Sequence, residues 1–166
     1  MGIVGKSIMT ETFENFAQFE KRKHDEFFLP YYRAKGWEIL QDNLGKKTDW
    51  DVKLRIDGKV YTVDEKARQR EYGDFLVEIV QDLKTGNKGW VFKEKDFYFY
   101  ASWVGEEKEP RSFYTISSPA LQRFVITNWK TLLAKMEISE KGWGTTLFAK
   151  VMWEDLVFTK IAKSMF

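Results

Sequence analysis

A chain of 166 residues with a net charge of +2, 43% hydrophobic and 17% aromatic residues is long enough for a sizeable core and too apolar for a disordered chain. It has no cysteine and one histidine, His24, which excludes disulfides and thiolate metal sites and argues against a histidine-rich zinc centre or a histidine-based triad. No run of about 18 apolar residues is present, so no transmembrane helix is expected, and the lack of cysteine fits a reducing cytoplasm.

The opening segment Met1–Met9 is too short and too weakly apolar for a signal peptide. Its Gly2-Ile-Val-Gly-Lys-Ser7 run separates the glycines by two residues, where a phosphate loop needs four, and no strand precedes it. Thr10-Glu-Thr-Phe13 offers N-caps for a helix, and Phe13, Phe16 and Phe19 mark its apolar face. The spacing predicts helix over 13–34, kinked or divided near Pro30, which has no N–H to give. Gly36 ends it as a C-cap residue, and a short strand follows over 37–41.

Two β-like runs then flank Asp57-Gly58, a strong hairpin signal. In the first, Asp49, Asp51, Lys53 and Arg55 share one face, with Trp50, Val52, Leu54 and Ile56 on the other. In the second, Thr62, Asp64 and Lys66 share a face, opposite Tyr61, Val63, Glu65 and Ala67. The hairpin can therefore bring Asp51, Asp64 and Lys66 together. Two carboxylates side by side repel each other and become favourable when a divalent cation sits between them. A solvated hairpin with cross-strand ion pairs is the plain alternative.

Further on, 74–81 alternates as a strand, with Phe75, Val77 and Ile79 on its apolar face. Thr85-Gly-Asn-Lys-Gly89 reads as a turn, 93–96 as a charged break and 97–103 as a buried strand. A polar loop spans 105–111 and a short strand 113–116. Ser117-Ser-Pro119 starts a helix reaching about Met136. Residues 145–153 read as a strand at a sheet edge, and 154–164 as helix or strand.

The ordered set of acid-bearing helix, Gly36-Trp37, Asp51 strand and Asp64-Glu65-Lys66 strand resembles the PD-(D/E)xK nuclease superfamily over roughly residues 20–103. The strands expected at 75–80, 88–92 and 96–100 resemble the later core strands of small phage-type nucleases and Holliday junction resolvase-like enzymes. The resemblance implies a single α/β domain over 1–166 of restriction-endonuclease-like type, with a mixed central β-sheet flanked by helices. It implies endonucleolytic hydrolysis of phosphodiester bonds in DNA, with Mg²⁺ or Mn²⁺ held by Asp51, Asp64 and the main-chain carbonyl of Glu65. Lys66 would hold the attacking water. Glu26, ten residues before Gly36, matches the family's helix acid and would orient a second metal or a water; Glu20 competes for that place, although with His24 at i+4 it also reads as a surface pair. Glu78 is a weaker candidate. Lys46, Lys47, Arg68, Arg70, Lys93 and Lys95 would line a phosphate-binding rim around the centre. The expected partner is DNA, branched or phage DNA included, with a homodimer as one arrangement and no membrane. The RecB-type branch pairs a Gln with a Tyr four residues later, whereas Gln81 is followed by Thr85. The rival reading is a non-catalytic nucleic-acid-binding or assembly protein on the same fold.

Overall fold

The computed structural model describes residues 16–71, 73–141 and 144–166; the expected helix start at Thr10–Phe13 and the Met1–Met9 segment lie outside them. Helix α1 runs over 16–34, with His24–Phe28 wound as a π-helix and Leu29–Ala34 as α-helix. The widened turn has a local cause. Pro30 cannot return an N–H to the Glu26 carbonyl, so the regular ladder fails there, and the Leu29 N–H reaches back to the His24 carbonyl instead. At its end, Gly36 takes φ +72° and donates to the Arg33 carbonyl, while the Trp37 N–H donates to the Tyr32 carbonyl. These two bonds close the last turn as a glycine C-cap.

The described residues then form ten strands: β1 (Glu38–Asp42), β2 (Val52–Ile56), β3 (Lys59–Arg68), β4 (Asp74–Asp82), β5 (Asn87–Lys88), β6 (Phe97–Ser102), β7 (Ser112–Ser117), β8 (Glu137–Lys141), β9 (Gly144–Met152) and β10 (Ala162–Ser164). Helices α2 (Ser118–Thr127), α3 (Trp129–Leu133) and α4 (Trp153–Phe158) complete the fold. A six-stranded central sheet has the order β1-β2-β3-β6-β7-β10. Its β3–β6 pair is parallel and its other pairs are antiparallel, so it is mixed and flanked by helices. The β2–β3 connection is the expected tight hairpin, with positive φ at both Asp57 and Gly58.

Strand β6 shows how the layers stack. Phe99 and Ala101 face a core shared with Phe19, Phe27, Phe28 and Tyr32 of α1; Tyr98 and Tyr100 face a second core shared with Phe75 and Val77 of β4, Leu121 of α2 and Trp153 of α4. That second face is covered largely by another sheet, antiparallel, of order β5-β4-β9-β8. The sequence gives little sign of it, because β8, with Glu-Ile-Ser-Glu-Lys, has one apolar residue and that residue is exposed.

Several expectations are corrected. Strand 145–153 is interior, between β4 and β8, not at an edge. The segment Lys88–Phe92 is not a core strand: Asn87–Lys88 pairs briefly and Trp90–Phe92 forms a 3₁₀ turn. Gly89 is the reason, because it presses so closely on β4 that a Cβ would lie 2.2 Å from the Glu78 carbonyl oxygen. The helix after Ser117 breaks at Asn128, whose side-chain amide donates to the Phe124 carbonyl. The last segment is both helix and strand. Among the described residues, no helix is long and apolar enough to cross a membrane.

Candidate active site

The site begins where β3 changes partners. Its first half, Lys59–Val63, pairs with β2, and from Val63 to Arg68 it pairs with β6. Beyond Val63 the β2 side of β3 is open, and its next main-chain donor would face nothing. Asp51, just before β2, fills that gap: its Oδ2 accepts the Glu65 N–H at 2.8 Å, and its own N–H donates to the Val63 carbonyl at 2.9 Å. A side chain thus continues the ladder that the backbone has left, and it delivers a carboxylate to the Asp64-Glu65-Lys66 strand.

Alternation along β3 then divides the residues. Val63, Glu65 and Ala67 turn toward α1, and Asp64 and Lys66 turn to the other side. Asp64 is buried and holds two ammonium groups, Lys66 Nζ at 2.9 Å on Oδ1 and Lys95 Nζ at 3.0 Å on Oδ2. The two lysines differ in access. The Lys66 side chain is 25% exposed, whereas that of Lys95 is 0% exposed. Lys95 Nζ also donates to the Trp90 carbonyl and sits 4.8 Å above the Tyr98 ring; Lys66 Nζ lies 5.2 Å above the Trp90 ring. The 3₁₀ turn that Gly89 permits is therefore one wall of the site.

The charges are arranged by burial and proximity. Asp51 is pushed up from 3.8 to about 8, by burial first and by the facing Asp64 carboxylate second, with Lys66 and the Glu65 N–H pulling it back. Burial would raise Asp64 too, but Lys66 and Lys95 prevail and hold it below its ordinary value. Burial would lower Lys66, yet Asp64, Glu20 and Asp51 together keep it firmly an ammonium. Lys95 is lowered by its burial in spite of Asp64.

Of the two helix acids, Glu20 is the one close enough for the charges of these groups to act on it. It is half-buried, its carboxyl is raised by burial, and it feels Lys66, Asp64 and Glu65. Glu26 is exposed and lines a surface hollow with Gln18, Lys21, Arg22 and Asp25. Helical phase separates the two acids. At about 100° per residue, six residues carry Glu26 well round from the face on which Glu20 and His24 sit one turn apart.

No family model matches the chain, and no curated protein matches it. Among solved structures it is similar to a bacterial homing endonuclease, I-Ssp6803I, at 18% identity and a TM-score of 0.38, over 62% of this chain and 65% of that one. A likeness of that size says nothing about chemistry, which the residues of the site alone define.

The acidic donors of the site are hard oxygens, the carboxylates of Asp51, bound to the Glu65 N–H, and of Asp64, bound to Lys66 and Lys95. Among the described residues no group of three or more acidic or histidine side chains is arranged to hold a metal ion. Two carboxylates are nonetheless the usual protein share for Mg²⁺, which keeps waters and takes substrate oxygens for the rest. The residues therefore fit Mg²⁺ or Mn²⁺ in kind, once Asp64 gives up part of its lysine pairing.

Three residues escaped the sequence reading. Lys95, expected on a rim, is buried against Asp64, and no local pattern marks it because its place follows from the parallel β3–β6 pairing. His24, expected at the surface, is buried, with Nδ1 2.5 Å from Glu65 Oε2 and Nε2 3.1 Å from Asp42 Oδ2. Tyr32 donates its hydroxyl to Glu65 Oε1 at 2.6 Å. Of the other candidates, Glu78 accepts the Trp90 N–H, and Arg68 binds the Asp74 carboxylate and carbonyl; Lys46, Lys47 and Arg70 are exposed.

Proposed function

We propose that the protein is a metal-dependent nuclease of the PD-(D/E)xK kind, hydrolysing phosphodiester bonds within DNA. The observation that supports this reading best is the gathering of Asp51, Asp64 and Lys66 where β2 and β3 part, with Glu20 of α1 within range of their charges. Asp51, Asp64 and the Glu65 carbonyl are the residues that would hold Mg²⁺ or Mn²⁺. A bound ion there would lower the pKa of a water and offset charge on the phosphate.

The chain's own groups have distinct roles in this reading. Lys66 is held as an ammonium, so it is no general base; its role would be to offset negative charge on the phosphate oxygens. Lys95 cannot reach the substrate and instead holds the Asp64 carboxylate in place. Glu20, in the place first given to Glu26, orients the attacking water. Lys46 and Lys47, on the exposed loop between β1 and β2, are the proposed phosphate contacts.

One observation favours the rival, a non-catalytic nucleic-acid-binding protein: Asp64 is already neutralised on both oxygens by lysines. Incubation with supercoiled, linear, single-stranded and branched DNA separates the two. The nuclease reading expects cleavage that needs Mg²⁺ or Mn²⁺, stops with chelator and is lost in Lys66→Met. Binding without cleavage on every substrate would favour the rival.

A further inference from the structure

Where β3 packs under α1, Glu65 lies between the apolar residues Val63 and Ala67. Around it lie Val63, Ala67, Phe28, Phe99 and Ala101, all buried. Yet Glu65 is itself 6% exposed and carries two strong partners from α1, His24 and Tyr32. An ion pair buried in such surroundings is costly, and apolar residues of similar size usually serve stability as well or better. Stability alone does not account for a Glu here.

Its connections do. The Glu65 main chain holds Asp51, its chain neighbours are Asp64 and Lys66, and its carboxylate holds α1 at two points. Through His24 the network extends to Asp42 at the end of β1. The π-turn makes the double grip feasible. His24 and Tyr32 are eight residues apart, so a regular helix, at about 100° per residue, would leave them about 80° out of phase. A π-turn takes in one residue with little advance, which reduces the offset to about 20° and turns both side chains to one carboxylate. Glu20 stands one turn before His24 on the same stretch, so whatever fixes His24 fixes Glu20.

We propose that Glu65, gripped by His24 and Tyr32, is a positioning device that sets the rotation and register of α1 against β3 and thereby fixes where Glu20 stands relative to the site. The proposal rests on the nuclease reading for its consequence, but not for its geometry.

The test replaces the whole network by apolar residues, His24→Leu with Tyr32→Phe and Glu65→Leu. The chain has no cysteine, so spin labels can be placed on Cys introduced at the exposed positions Gln18 and Val60, and the distance between α1 and the hairpin read by pulsed electron resonance. The intact network should give one narrow distance. The apolar variant should stay folded but show a peak moved or broadened by on the order of 5 Å, because a one-residue slip turns a helix by about 100°. Its DNA cleavage should fall at least about a hundredfold, and a Mn²⁺-induced rise in melting temperature should shrink. A wild-type distance in that variant overturns the proposal, as does wild-type cleavage with a moved peak. Should the triple variant not fold, Tyr32→Phe alone decides: a broadened distance and a lower kcat at unchanged KM support the device, and an unchanged distance overturns it. If the wild-type protein cuts no DNA, the nuclease reading falls, while the distance measurement still judges the device.

Discussion

The two carboxylates of the site should have opposite effects on stability, although losing either should end cleavage. In the folded protein Asp51 keeps its proton up to about 8, whereas in the unfolded chain it ionises near 3.8. Between those values the unfolded state binds fewer protons, so stability falls as pH rises through the window. At pH 7 the penalty has accumulated over about three pH units, an upper bound of about 4 kcal/mol. Asp51→Asn removes the penalty and keeps an oxygen for the Glu65 N–H, but its new amide hydrogens need partners, so a gain of about 1–2 kcal/mol is expected. Asp64→Asn does the reverse. It leaves Lys95, fully buried, and Lys66 without their shared counter-charge, and breaking a buried pair from one side costs about 3–5 kcal/mol. For a chain of this length the melting temperature should drop by about 6–20 °C. Urea and thermal unfolding at pH 7 and again near pH 4 measure both. The gain from Asp51→Asn should fade at the lower pH. If both substitutions destabilise alike at pH 7, the inferred charge arrangement is wrong.

Glu20→Gln should reduce cleavage by about ten- to a hundredfold, whereas Glu26→Gln should change it less than about twofold; equal effects would return the helix acid to Glu26. His24 is raised from 6.5 to about 9: burial works to lower it, but Glu65 and Asp42 outweigh burial. Its stabilisation should be complete below pH 6.5 and lost as pH rises through 9, and His24→Gln should remove that slope from urea unfolding. Gly89→Ala, which sets a Cβ against the Glu78 carbonyl, should cost about 1–3 kcal/mol by urea unfolding and, by displacing Trp90, loosen the hold on Lys95.

How much of this was legible in the sequence differs from residue to residue. The Asp57-Gly58 hairpin, the glycine cap at Gly36 and the alternation that sets Asp64 and Lys66 apart from Glu65 follow from local rules, whereas Asp51 lies before β2, where alternation does not act, and its carboxylate meets the Glu65 N–H. Spacing from Gly36 favours Glu26 over Glu20, whereas exposure separates them the other way, Glu26 lying at the surface and Glu20 half-buried, which local sequence does not encode. Lys95 and the Trp90 carbonyl reach the site through a parallel strand pair and a turn held by Gly89, both set by contacts distant in sequence. The second sheet went unseen because β8 lacks the alternation that marks a half-buried strand, and β9 between two neighbours looks locally like an edge.

The central claim is that Asp51 and Asp64 hold a divalent cation beside Lys66. Anomalous diffraction from a crystal soaked in Mn²⁺ tests it most directly. The account predicts one strong peak within about 2.0–2.6 Å of oxygens from both carboxylates and of the Glu65 carbonyl oxygen, with Lys66 or Lys95 moved off Asp64. Metal-dependent cleavage by a protein whose Mn²⁺ peak lies elsewhere, with both lysines still on Asp64, would contradict it.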